Sequence, residues 1–167
     1  MIGGLHVDIQ NLFGIYSNPG LELVRILDYY NVPINDTPAK ATRLSNTYRA
    51  FCFCKSLRKW LGYYNISNDS YASHFYDAIW PELEELWLVG IKKNTGAFKY
   101  SNKIKYECLR FMVDNAANTS PITVTVHADI YKTLTGESTS DLNGGTAAEW
   151  QKLLADAVAR NISPATN

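Results

Sequence analysis

Three cysteines and three histidines are the side chains in this sequence best suited to nucleophilic or metal chemistry. Cys52, Cys54 and Cys108, with His74 and His127, could supply a thiol and an imidazole base for a small Cys/His hydrolase. No glycine elbow or family signature surrounds any of the three, so buried, reduced structural thiols are the expectation. His6 and Asp8, and again His127 and Asp129, place an imidazole two residues from a carboxylate, which on a strand puts both on one face. A metal site needs three or four ligands, and no third stands at recognisable spacing. Asp129 is instead expected to cap a following helical turn. Gly144-Gly145-Thr146 has the position of an anion site at a helix start, and is read as a flexible loop before a capped helix. Asn65-Ile-Ser67 and Asn118-Thr-Ser120 read as polar turns. No catalytic residue, metal or cofactor is expected from these patterns.

The elements that must position these residues follow from an irregular internal repeat. Leu83-Glu-Glu-Leu86-Trp-Leu88-Val-Gly-Ile91 has the spacing of a leucine-rich repeat, with Ile91 in the asparagine slot. Leu57, Trp60, Gly62 and Asn65 keep that spacing; Leu21, Val24 and Ile26 keep its apolar triplet, with Tyr29 in the asparagine slot. Ile2, Leu5, Val7 and Gln10 match once more. Each apolar pair at i, i+2 turns two side chains to one face of a short strand. No single turn can bury such a face, so stacked turns must share a core. Thr47 to Cys54 and Tyr71 to Trp80 are suited to cover its other side as short helices or turns, and the prolines at 33 and 38 mark an irregular connection.

The C-terminal third predicts regular elements. Leu109, Met112, Val113 and Ala116 have the i, i+3, i+4, i+7 spacing of an amphipathic helix. Ile122-Thr-Val-Thr-Val126 alternates as a strand, Asp129 to Leu134 suits one or two helical turns stopped by Gly136, and Thr146-Ala-Ala-Glu149 forms a capping box. Behind it Trp150, Leu153, Leu154, Ala157 and Val158 make an apolar stripe; Asn161 ends the helix and Ile162 to Ala165 can add a last strand. Strand, helix, strand in that order implies parallel pairing. The fold class expected is α/β: a leucine-rich-repeat-like solenoid of short parallel strands backed by helices and turns. It forms a single domain over 1–167, with repeat turns in 1–104 and a helical C-terminal cap in 105–167.

At 167 residues with 46% hydrophobic and 19% charged positions, the chain is long enough to bury roughly 70% of its unfolded surface and too apolar to stay disordered. Sixteen basic residues against sixteen acidic ones, and a pI near 6.8, do not steer it to nucleic acid or to an anionic membrane. No stretch has the length of a membrane span or the pattern of a signal peptide.

Tyr48-Arg-Ala-Phe-Cys-Phe-Cys54-Lys-Ser-Leu57-Arg-Lys-Trp60 resembles a unit of BspA-like leucine-rich-repeat surface proteins. The tail, from Asn115 through Ile122–Tyr131 to Glu149-Trp150 and Asn161-Ile162, is similar to the C-terminal end of leucine-rich-repeat proteins encoded by phages and prophages of gut bacteria. The resemblance covers roughly residues 43–167. It implies a solenoid end, an adhesion role and a place on a virion or cell surface, and it implies no catalytic residues. Pro164 stands where the family has an apolar residue after the last strand's serine, which argues against regular pairing there.

If the repeat leucines point inward, His6 and Asp8, Arg25 and Leu27, Leu61 and Tyr63, Trp87 and Val89, and Thr123 and Thr125 point outward on one sheet. Leu61, Tyr63, Trp87 and Val89, with Arg25 and His6, are then the expected binding surface, for a protein or a surface glycan. The apolar start of the chain, Ile2, Leu5 and Val7, suits docking or self-association, as in a structural part of a phage tail.

Overall fold

The computed structural model describes residues 20–26, 30, 32–48, 50–117 and 120–166, together with the backbone of 6–8. Strands β1 (His6–Asp8), β2 (Leu23–Arg25), β3 (Thr42–Asn46), β4 (Lys59–Asn65) and β5 (Glu85–Val89) form one sheet, and β6 (Thr95–Phe98), β7 (Ile122–Val126) and β8 (Ile162–Ala165) form a second. Every pairing between these strands is parallel. Helix α1 (Tyr106–Asp114) precedes β7, while α2 (Ala128–Thr135) and α3 (Ala147–Ala159) lie between β7 and β8. The described residues are therefore mixed α/β, with small parallel sheets and no closed barrel among them.

Alternation decides which side of the first sheet is core. In β5, Leu86 and Leu88 are completely buried while Trp87 and Val89 are only half-buried, the outcome of a period-two pattern with one face inward. In β4, Trp60 and Tyr64 fill the corresponding inward places. Between them the ladder slips: Trp60 lies opposite Leu86 but Tyr63 opposite Trp87, leaving Leu61 and Gly62 as extra residues. Gly62 takes φ +96°, a conformation cheap only for glycine. The repeat spacing puts Gly62 in the second inward slot; Tyr64 holds that slot instead, because the two-residue bulge preserves the alternation beyond it.

The bulge coincides with a junction. β2 pairs with the first half of β4 and β3 with the last two residues of the same edge, and the buried Asn35 sits where they meet. Tyr63 N donates to Asn35 O at 2.9 Å, and Asn35 Nδ2 donates to Tyr63 O at 3.1 Å. Asn35 thus continues the pairing across the gap between two strands, accepting with its backbone carbonyl and donating with its side-chain amide.

Successive passes also stack through their backbones ahead of each strand. Arg58 and Lys59 donate to Glu22 O, Glu84 and Glu85 donate to Arg58 O, and Lys105 N donates to Glu84 O. The last of these bonds leads into α1, so that the helix follows β5 in the stack where another strand would stand. Gly90 N donates to Asn115 O at its far end. α1 packs against β5 and covers an edge that would otherwise be open to pairing.

In the second sheet Ile122, Val124 and Val126 face inward while Thr123 and Thr125 face outward and are half-exposed. The two threonines therefore belong to a different sheet from Leu61, Tyr63, Trp87 and Val89, contrary to the single face read from the sequence. The chain leaves the first sheet after β5, and β6, which precedes α1, already belongs to the second. β6 joins β7, so this sheet spans both sides of the boundary expected near residue 104. Pro164 pairs with Val124 and is accommodated because β8 is an edge strand.

A single apolar cluster runs through both sheets and the three helices. Trp60 is its hub, with rings of Phe51, Tyr64, Phe75 and Trp80 at centroid distances of 5.1, 5.0, 5.5 and 6.0 Å. Leu109, Met112 and Val113 of α1 and Trp150, Leu153 and Ala157 of α3 are buried as their spacing predicts, whereas Val158 is exposed. The capping box at Thr146 and Glu149 forms. His127 caps α2 in place of Asp129, its Nδ1 accepting the Asp129 amide at 3.2 Å. Gly145 is fixed by close approach: a Cβ there would lie 2.6 Å from Tyr106 Cγ. Its role is packing, not the flexibility read from the Gly-Gly pair. Ile2, Leu5, Gln10, Leu27 and Tyr29, like the side chains of His6, Val7 and Asp8, lie outside the described residues.

Candidate functional site

Two surfaces follow from this architecture. The first is the outer face of the first sheet. Leu61 and Tyr63 from β4, Trp87 and Val89 from β5 and Phe111 from α1 are all half-buried. The Tyr63 ring lies 5.8 Å from Trp87 and 5.2 Å from Phe111, and Trp87 lies 5.6 Å from Phe111 in an edge-on arrangement. Trp87 Nε1 donates to Glu85 Oε1 at 2.9 Å, so the indole satisfies its polar atom within its own strand, while its ring is half-buried and packs against the apolar cluster. Arg25 is exposed on β2, which pairs with β4 at Leu61. Four residues of the expected surface, Leu61, Tyr63, Trp87 and Val89, are thus on adjacent strands. Phe111 was invisible to a repeat-based reading because it comes from a helix; its place in the amphipathic pattern, opposite Leu109 and Met112, is the signal that could have found it.

The second surface is an open groove of about 630 Å³ on the second sheet, which the repeat pattern did not indicate. It is lined by Thr123 and Thr125 of β7, by Asn94, Thr95 and Gly96 at the start of β6, by Lys99 and Tyr100, by the 73–79 segment and by Phe53. Tyr76 and Tyr100 are exposed.

The 73–79 segment is held from below by a buried polar network. Asp69 Oδ2 lies 2.9 Å from His74 Nδ1, and the Asp69 carboxylate also accepts Thr47 Oγ1 and the Tyr71 amide. Lys92 N lies 3.5 Å from His74 Nε2, so each ring nitrogen faces a polar partner, Nδ1 the Asp69 carboxylate and Nε2 a backbone amide. Burial alone would raise the Asp69 carboxyl, but the bonds from His74, Thr47 and Tyr71 outweigh it and hold the group below its ordinary value. Thr47 Oγ1 then accepts the Phe75 amide at 3.0 Å, His74 N donates to Asn94 O and Ile79 N donates to Cys52 O. Phe75 and Asp77 sit at φ +50° and +62°, left-handed conformations that cost a non-glycine residue energy and persist where such anchors over-determine them.

The same network bears on the thiol chemistry considered from sequence. Both ring nitrogens of His74 are engaged, by Asp69 and by the Lys92 amide, and neither serves a thiol. Cys52, Cys54 and Cys108 are buried and unbridged. Burial pushes the Cys108 thiol up to about 12, the opposite of an activated nucleophile. His127 is committed to capping α2.

Among the described residues no group of three or more His, Cys, Asp or Glu side chains could hold a metal ion, and no helix is long and apolar enough to cross a membrane. No family model, no curated protein and no solved structure matches the chain.

Proposed function

We propose that this protein is a non-enzymatic interaction module, a short leucine-rich-repeat-like solenoid that holds a protein partner on the outer face of its first sheet. The observation that carries the reading is the side of β5 on which Trp87 lies, opposite the buried Leu86 and Leu88, in ring contact with Tyr63 and Phe111 and, like Leu61 and Val89, only half-buried. Large apolar and aromatic side chains gathered on an accessible sheet face are what protein interfaces use as anchors. The solenoid reading is supported by the backbone bonds that link Glu22, Arg58, Glu84 and Lys105 in successive passes, and by parallel pairing throughout. Resemblance to the phage and BspA-like repeat proteins supports an adhesion role at a virion or cell surface. With equal numbers of acidic and basic residues, the partner is held by shape and aromatic contact more than by electrostatic steering.

A protein array probed with the purified chain tests this. The expected result is at least one ligand whose affinity falls about tenfold or more in Trp87→Ala, with far-UV circular dichroism unchanged. Loss of fold in the variant would make Trp87 a core residue, and ligands indifferent to Trp87→Ala would remove the face from the interaction; either overturns the reading.

A further inference from the structure

The groove on the second sheet has a different chemistry from the aromatic face and shares none of its residues. We propose that it is a binding site for a neutral oligosaccharide. Its lining contains one lysine and one carboxylate, Lys99 and Asp77, and no other Lys, Arg, Asp or Glu side chain. An ionic ligand would gain little from such a balance. Tyr76 and Tyr100, 45% and 39% exposed, are the large hydrophobic side chains the groove leaves open to solvent. The Tyr76 ring stacks on Tyr48 at 5.9 Å and lies 6.0 Å from Tyr71, so it forms the exposed edge of a small aromatic cluster, and each of the two exposed rings combines apolar carbon with a phenol that can meet a sugar hydroxyl. Lys99 Nζ sits 4.7 Å from the Tyr100 ring centre, a cation–π contact that steadies that ring.

Between these platforms the sheet supplies groups that both donate and accept, as sugar hydroxyls require. Thr123 and Thr125 project from the same face of β7, roughly 7 Å apart along the strand. Asn94, which lines the groove, accepts the Thr123 amide on Oδ1 at 2.8 Å, a bond that fixes the orientation of its side chain. Ser73 adds another hydroxyl. The volume, about 630 Å³, falls within the range of roughly 300–1,000 Å³ typical of small-ligand sites.

The groove is also formed in advance. Its 73–79 wall is tied to Thr47, Asn94 and Cys52 by the bonds at Phe75, His74 and Ile79, and the Tyr76 carbonyl accepts the Cys52 thiol at 3.4 Å. Little ordering is then left to oppose binding, which matters most for a ligand that contributes only weak individual contacts.

The test is titration of the intact chain, followed by amide NMR, with short neutral oligomers derived from β-glucan, chitin, xylan, mannan and galactan. At least one should shift resonances of the groove residues. Tyr76→Ala and Tyr100→Ala should each weaken that binding about tenfold, and the isosteric Thr125→Val should weaken it about fivefold. Both tyrosines are exposed, so the variants keep the wild-type dichroism. Failure of every neutral oligomer to shift the groove overturns the proposal. So does binding that survives both tyrosine substitutions, or a preference for short peptides over sugars at the same residues.

Discussion

Asp69 accepts the Nδ1–H of His74 at 2.9 Å with both side chains fully buried, and this pair anchors the segment that forms one wall of the groove. Removing one partner of a buried, hydrogen-bonded pair leaves the other without compensation. Asp69→Ala should therefore cost about 3 to 5 kcal/mol in urea unfolding.

The same carboxyl sets an acid limit. Its folded-state pKa lies below the ordinary value because His74, Thr47 and the Tyr71 amide outweigh the effect of burial. The stabilisation it contributes is therefore complete above the ordinary aspartate range and is lost as pH falls through the folded value. Urea midpoints measured downward from pH 5 should decline more steeply in the wild type than in Asp69→Ala. Parallel pH profiles would show that Asp69 does not contribute that slope.

Gly62 is the second sensitive point. A Cβ at this position would lie 2.3 Å from Asn35 Oδ1, on a backbone at φ +96°. Gly62→Ala should destabilise by about 2 to 4 kcal/mol, combining left-handed strain with overpacking. In the Asn35→Ala background the clash is gone, so the cost of Gly62→Ala should fall by about half. Additive costs in a double-mutant cycle would disprove the contact.

The buried thiol and phenol predict an alkaline limit. Burial raises Cys108 and Tyr64 each to about 12. Stability from both is complete below their ordinary values and is lost as pH rises through the folded ones, between about pH 9 and 12. Under native conditions at pH 8, iodoacetamide should leave Cys108 unmodified by mass spectrometry, whereas in urea it should label fully. Rapid native labelling would contradict the burial.

Thr146→Ala removes the hydroxyl that accepts the Glu149 amide in the capping box. About 1 kcal/mol of stability should be lost, read as a lower urea midpoint with an unchanged m-value.

Much of this protein could be read from the order of its residues. The inward pairs Leu86 and Leu88, Val24 and Ile26, the strand at Ile122–Val126, the amphipathic helices and the capping box are local patterns, because strand and helix periods are set by backbone geometry alone. The outward placement of Leu61, Tyr63, Trp87 and Val89 follows from that periodicity too. What local pattern could not contain was register and distance. The bulge at Gly62 depends on Asn35, twenty-seven residues earlier, entering the gap between β2 and β3. The change of sheet after β5, which sets Thr123 and Thr125 apart from Trp87, depends on β6 pairing with β7 twenty-odd residues later. The groove draws on Tyr76, Asn94, Tyr100 and Thr125, brought together only when the buried Asp69–His74 pair and parallel pairing fold distant segments over one core. Periodicity is a property of neighbours along the chain, and it determined the elements; the surfaces those elements present were decided by contacts between residues far apart in sequence, which only the packed structure makes.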